Sequence, residues 1–294
     1  MELFGIPSQA LFGQLLIGLI NGSFYALLSL GLAVIFGLLN IINFTHGAQY
    51  MMGAFVAYLS LQWLGLNYWV ALVVSPLVVG ATGALIERTM LVRLYKLDHL
   101  YGLLLTFGLA LVIQGLFRNV YGASGMPYAV PDIFMGAVDL GFMFLPKYRA
   151  WVIAASVLIC VSTWFVIERT KLGAYLRAAT ENPSLVQAFG INVPRMITLT
   201  YAFGVGLAAI AGVMAAPIYQ VSPMMGADII IVVFAVVVIG GMGSIMGAIL
   251  SGFGLGLIEG LTKVVYPEAS NTVIFVIMAL VLLIKPAGLF GTEK

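Results

Sequence analysis

The sequence predicts an all-α fold: a polytopic transmembrane helix bundle with eight or nine membrane segments, some of them broken or half helices. Three observations carry this. Of the 294 residues, 62% are hydrophobic and only 8% charged, with a mean hydropathy of +1.12, whereas soluble domains are about 25% charged. The apolar residues gather into segments near the roughly 20 residues that a helix needs to cross a bilayer core. Lysine and arginine concentrate in the short connections between those segments.

The opening residues, MELFGIPSQA, lack the basic stretch of a secretory signal, and the apolar segment after them is longer than a signal core, so it is expected to be retained as a span. Spans are expected over residues 11–39, 46–64, 69–87, 101–120, 150–168, 197–217 and 271–285. Residues 228–262 are interrupted at Gly240, Gly241, Gly243 and Ser244, and read either as a long tilted helix plus a half-helix or as two short crossings. Two compact loops are basic. Residues 87–100 carry Arg88, Arg93 and Lys96, and residues 168–196 carry Arg169, Lys171, Arg177 and Arg195, which places both loops on the cytoplasmic side. The loop at 121–149 is then external, with Lys147 and Arg149 weakly opposing the rule. Lys285 and Lys294 agree with a cytoplasmic tail. The whole chain, 1–294, is expected to form a single transmembrane domain with a cytoplasmic loop at about 168–196.

Several function classes drop out. A net charge of +2 without clustered basic residues gives no nucleic-acid footprint. Cys160 is the only cysteine and lies in an apolar run, so it builds neither a disulfide framework nor a cysteine metal site. There is no Gly-Lys pair for a phosphate-cradling loop, no H-E-x-x-H, no G-x-S-x-G, and no histidine and carboxylate grouping at metal spacing. The chain is therefore expected to be no enzyme, with no catalytic residues, metal or cofactor and no ATPase site of its own. Any energy source must come from outside.

Glycine stands at 34 of 294 residues, above the usual level of about 7%. Gly243 and Gly247, then Gly252, Gly256 and Gly260, fall four apart, as do Ala208, Gly212 and Ala216. This spacing lets membrane helices approach closely, within the chain or at a subunit contact. A short echo links GAQYMMGA (47–54) with GMGSIMGA (241–248).

Polar groups at membrane depth are costly and mark pathways or partners. Asn40, Asn43, Thr45, His46 and Gln49 form the richest cluster. It is either a discontinuous helix that places amide and imidazole groups along a solute path, or a cytoplasmic turn whose side chains cap helix ends. Asn21 and Gln114 stand alone within spans, where each can tie one helix to another. Glu87 and Glu259 are expected as solvated charges near span ends, Glu87 pairing with Arg88 or Arg93 and Glu259 with Lys263 one turn later. In the 168–196 loop, Asn182 suits an N-cap, Pro183 the first helical position and Gly190 the residue after the last turn. A short helix follows, with Leu185, Val186 and Phe189 on one apolar side, which suggests a docking partner.

NGSFYALLSLGLAVIFGLLNIINFTHGAQYMMGAF (21–55), RAATENPSLVQAFGINVPRMITLTYAFGVGLAAIAGV (177–213), VIGGMGSIMGAILSGFGLGLIE (238–259) and KPAGLFG (285–291) resemble the branched-chain amino acid ABC importer permeases of the LivH type, across nearly the whole chain. The resemblance implies a permease subunit of an ATP-driven importer in the bacterial cytoplasmic (inner) membrane. Its implied partners are a second, LivM-like permease subunit, two cytoplasmic ATPase subunits and an external substrate-binding protein. The segment Asn182 to Phe189 with Gly190, preceded by Arg177 and Glu181, matches the family's coupling segment, which seats on an ATPase. Asn43, His46 and Gly47 match its Asn-Phe-x-His-Gly element, and Gly241, Gly243, Ser244 and Gly247 its glycine-rich break. With Asn21, Thr45 and Gln49 they are expected to line or shape the solute path. Ala48 stands where several relatives carry a carboxylate.

Leucine, isoleucine or valine moved by alternating access is the expected function, since a mainly apolar path suits a small amphipathic solute. An importer of the same type for urea, short amides or aromatic acids, or a passive small-solute channel, is the alternative. A proton-coupled carrier would want a buried carboxylate.

Overall fold

The computed structural model describes residues 2–3, 6–39, 41–95, 97–141 and 143–291. Asn40, Lys96 and Lys294 lie outside the described residues. Eleven helices are described: α1 Ser8–Leu39, α2 Thr45–Leu64, α3 Tyr68–Thr89, α4 His99–Tyr121, α5 Lys147–Arg169, α6 Lys171–Glu181, α7 Pro183–Ala188, α8 Val193–Tyr219, α9 Met225–Gly240, α10 Ile245–Val265 and α11 Val273–Ile284. Six of them, α1, α3, α4, α5, α8 and α10, are long and apolar enough to cross a membrane, and α9 and α11 are shorter and apolar. With α2 they make up the expected eight or nine membrane segments of an all-α polytopic bundle.

Local chemistry sets the ends. Asn67 caps α3 by accepting from Val70 N at 3.0 Å, and Asp98 caps α4 by accepting from Leu100 N at 2.9 Å. Between the alternatives for 228–262, the structure has two helices, α9 and α10. Gly241 and Gly243 at φ 99° and 86° turn the chain between them, a backbone region open to glycine and costly to other residues. The segment at 121–149, read as a loop, also holds a small antiparallel ribbon, Ala137–Asp139 against Phe144–Pro146. Its three-residue strands are too short for an alternating pattern to show in the sequence.

The chain divides into two compact units, residues 1–29, 129–161 and 232–294 in one and 30–128 and 162–231 in the other. In the first, α10 lies directly on α1: a Cβ at Gly252 would stand 2.5 Å from Ala26 Cα, and Gly256 and Gly260 face Gly22 and Gly18. The four-residue glycine spacing is thus used for packing within the chain. Ala235, Val236, Ile239, Leu255 and Ile274 form this unit's core.

In the second unit, α2 is enclosed by α3, α4 and α8. Gly53 meets Ala209 and Gly212 meets Tyr50, backbone against backbone. Ile35, Ile41, Val79, Leu91, Tyr201, Val205 and Ala209 form the core beside them. The two copies of the Met-Gly-Ala echo differ in form, since 47–54 is helical throughout and 241–248 begins in a turn.

Candidate functional site

The interruption between α1 and α2 organises the second unit's polar interior. α2 starts at Thr45 after Phe44, which offers no side-chain cap. The cap comes from α4 instead. Thr106 Oγ1 accepts from Phe44 N at 3.2 Å and donates to Ile42 O at 3.0 Å, while Thr45 Oγ1 donates to Thr106 O at 3.0 Å. Thr106, which sequence reading missed, thus ties α4 to this helix start. One hydroxyl in the apolar run LLLTFGLALV was its only signal.

Asn43, Thr45, His46 and Gln49 come together here and are fully buried. Asn43 Nδ2 donates to Gln49 Oε1 at 3.2 Å, and the Tyr201 ring of α8 lies beside both amides. Asn43 Oδ1 and Gln49 Nε2 make no hydrogen bond among the described residues. The His46 ring lies against Gly31 of α1, where a Cβ would stand 2.9 Å from Cε1. These side chains face the interior of the unit.

The opposite face of the same helix start borders a cavity of about 250 Å³. Phe44, Gly47, Ala48 and Met51 line it from α2 and the residue before it, Phe107, Ala110, Leu111 and Gln114 from α4, and Pro223, Gly226, Ala227, Ile230 and Ile231 from the start of α9. The spacing of 44, 47, 48 and 51 is one helical face. Gln114 supplies the side-chain amide, and its Nε2 lies 2.8 Å from Met224 Sδ. Phe44 and Phe107 meet edge to face at 6.0 Å. The cavity offers apolar contact over most of its wall and one polar anchor.

Gly241, Gly243 and Ser244 belong to the first unit. Ser244 caps α10 by accepting from Gly247 N at 3.1 Å. The KPAGLFG segment closes over this turn, with Leu289 N donating to Ile239 O at 2.8 Å and Phe290 N to Gly240 O at 3.1 Å. Asn21 also lies in this unit, and donates to Glu259 Oε1 at 3.2 Å.

Glu259 and Glu87 correct the expectation of solvated end charges, being 4% and 2% exposed. Glu259 does pair with Lys263, at 2.5 Å, and Tyr25 OH donates to its other oxygen at 2.8 Å. The close approach of α1 to α10 covers it. Glu87 forms no ion pair with Arg88 or Arg93. Thr198 Oγ1 donates to Glu87 at 2.7 Å and Tyr95 OH donates to its other oxygen, because α8 and the turn after α3 cover the end of α3. Burial and this hydrogen bond push the Tyr95 hydroxyl well above the ordinary tyrosine range.

Beyond the membrane-length helices, α6 and α7 form a small folded segment. Asn182 Oδ1 accepts from Leu185 N at 3.0 Å, Pro183 opens α7, and Gly190 follows at φ 83°. Arg177 pairs with Glu168 at 3.4 Å, both exposed, and Glu181 is exposed at the end of α6. Val186 does not share a face with its apolar neighbours. It packs inward with Leu176, Ala179, Val193 and Met196, so α6 and the start of α8 give the segment the core that its length alone would not. Leu185 and Phe189 are 55% and 78% exposed.

Membrane-length helices, an interrupted helix with a buried polar start and an apolar cavity beside it define a multi-pass membrane transport protein. The chain belongs to the family described as branched-chain amino acid transport system / permease component, whose family model matches residues 14–282. It is 30% identical to the high-affinity branched-chain amino acid transport system permease protein LivH of Escherichia coli (strain K12), with 96% of each chain covered. Identity to the corresponding protein BraD of Pseudomonas aeruginosa is likewise 30%, covering 96% of each. The E. coli permease protein LivM is 28% identical over 92% of this chain and 68% of that protein.

Proposed function

We propose that the chain is the LivH-type permease subunit of an ATP-driven importer for leucine, isoleucine and valine in a bacterial cytoplasmic membrane. The observation that carries the substrate class is the cavity at the start of α2: an apolar wall for an aliphatic side chain, with Gln114 as a polar anchor. Asn43, Thr45, His46 and Gln49 hold the helix start that forms one side of the path, and Gly241, Gly243 and Ser244 shape the turn before α10. Asn21 fixes α1 to α10.

A second, LivM-like permease completes the path, which fits the chain's similarity to both LivH and LivM relatives. Two cytoplasmic ATPases supply energy, and an external binding protein delivers substrate. The α6–α7 segment within the loop at 168–196 is the coupling element: Leu185 and Phe189 insert into an ATPase groove, flanked by Arg177 and Glu181, while Asn182, Pro183 and Gly190 set the shape of α7 and Val186 anchors it. ATP-driven closure of the ATPases moves this segment and switches the path between outward and inward access.

ATP-dependent uptake of labelled leucine, in proteoliposomes carrying the chain with its co-purifying subunits, tests the reading. Ala48→Leu narrows the cavity and should cut uptake at least tenfold without altering subunit assembly. Uptake unaffected by that substitution, or independent of ATP, would refute the assignment.

A further inference from the structure

A second concave surface lies where the apolar exterior of the bundle meets the charged loop. It is a groove of about 420 Å³ walled by Val166 and Ile167 of α5, Leu172 and Leu176 of α6, and Leu199 and Phe203 of α8, with Arg195 as the only charged residue in its lining. Val166 of α5, Leu172 of α6 and Leu199 and Phe203 of α8, which line it, are themselves exposed apolar side chains. In a membrane-spanning chain such faces are the surface that acyl chains wet.

Charge at the rim selects among lipids. The segment from 168 to 195 holds Arg169, Lys171, Arg177 and Arg195 against Glu168 and Glu181. Arg177 is engaged by Glu168, and Arg169 lies over the Trp164 ring at 5.5 Å. Among the described residues, neither Arg195 nor Lys171 has a carboxylate within salt-bridge distance. Arg195 is exposed, and its backbone is fixed because Arg195 N donates to Asn192 Oδ1 at 3.0 Å. An apolar groove that opens to the bilayer and ends on an uncompensated guanidinium fits an anionic phospholipid better than a neutral one: both present a phosphate diester to the guanidinium, but in the neutral one the headgroup's own ammonium offsets that charge.

We infer that this groove is a binding site for one anionic phospholipid, its acyl chain lying against Leu199 and Phe203 and its headgroup phosphate on Arg195. The groove borders the α6–α7 core through Leu176 and Met196, so a bound lipid would brace the segment proposed to receive the ATPases. The inference rests on the membrane embedding of the chain and not on its substrate, and its test needs no transport readout.

The test is native mass spectrometry of the full chain in mild detergent, together with whatever subunits co-purify. Phosphatidylglycerol and phosphatidylcholine with identical acyl chains are titrated in separately. Phosphatidylglycerol adducts should predominate and survive millimolar inorganic phosphate. Arg195→Gln should lose about fivefold in phosphatidylglycerol binding, the factor expected for one basic side chain near an anionic headgroup, with phosphatidylcholine binding unchanged. Lys147→Gln, at the other end of α5, should retain wild-type binding. A fold check on each variant comes from gel filtration and from protection of Cys160 against thiol reagents. Equal binding of the two lipids, displacement by free phosphate, or an Arg195→Gln variant that binds as wild type would overturn the proposal. So would cross-linking from Leu199→Cys to a partner subunit in the assembled complex, which would show protein rather than lipid on this face.

Discussion

The packing of α10 on α1 makes a sharp prediction at Gly252. A methyl group there would stand 2.5 Å from both Ala26 Cα and Ala26 N, where ordinary contact begins at 3.4 Å. The neighbour is backbone, so no side-chain rotation relieves the overlap, and the helices must part locally by about 0.9 Å. Overpacking of this kind costs roughly 1–3 kcal/mol. The exchange also gains up to about 1 kcal/mol of helix propensity. Because the overlap is with backbone, the clash falls in the upper part of that range, about 2–3 kcal/mol, and the expected net loss is about 1–2 kcal/mol.

Gly254, two residues along on the opposite side of the same helix, has nothing within 4 Å of its would-be Cβ. Gly254→Ala keeps the propensity gain without the clash and should be neutral or slightly stabilising. Cys160 makes the comparison measurable. It is the only cysteine, is fully buried and lies in the same unit as both glycines, so a thiol-reactive dye reports unfolding during a temperature ramp. Gly252→Ala should lower the transition by about 2–8 °C and Gly254→Ala should not lower it. A Gly252→Ala protein as stable as wild type would refute the close approach of the two helices, whatever its transport activity.

Three further outcomes are expected. Thr106→Val removes the acceptor for Phe44 N and one of the ties between α4 and the start of α2, costing about 1–3 kcal/mol in the same thermal assay; an unchanged transition would show that the interruption is held some other way. Phe189→Ala should leave thermal stability unchanged while lowering ATP-driven uptake severalfold, whereas Val186→Ala should lower stability by about 1.5 kcal/mol, near 0.8 kcal/mol for each of two lost methyl groups; equal stability losses at both sites would contradict the inward packing of Val186. Glu259→Gln should destabilise by about 1–3 kcal/mol, because Lys263 keeps partial access to water, and the double variant Glu259→Met with Lys263→Met should be less destabilised than the sum of its parts; strict additivity would mean that the pair does not interact.

Hydropathy made most of the helices legible because each crosses an apolar phase in one run, and Gly241 with Gly243 marked the break that divides the last long one. The polar cluster at residues 43–49 was visible as well, since amides and an imidazole at that depth are conspicuous. Its orientation was not. A helical start displays polar groups on one face and Gly47, Ala48 and Met51 on the other, and which of the two faces a cavity depends on α4 and α9, distant in sequence. The same holds for α7. Val186 and Phe189 are three residues apart, a spacing that alone puts them on one side, but Phe189 falls just beyond the helix and α6 covers only Val186. Local patterns place a residue on an element; neighbouring elements decide what it touches.

The two buried carboxylates bear on how the chain is energised. Proton coupling would use a carboxylate that exchanges its proton along the solute path. Glu259 is neutralised by Lys263 and held by Asn21 and Tyr25. Glu87 is satisfied by hydroxyl donors from Thr198 and Tyr95. Both lie toward helix ends and join elements within their own unit, and the residues lining the cavity include no ionisable side chain. Carboxylates placed in this way serve as fasteners between helices. Among the described residues the cavity wall then holds no carboxylate to exchange a proton with a solute, which fits the reading proposed above of a permease energised by ATPases.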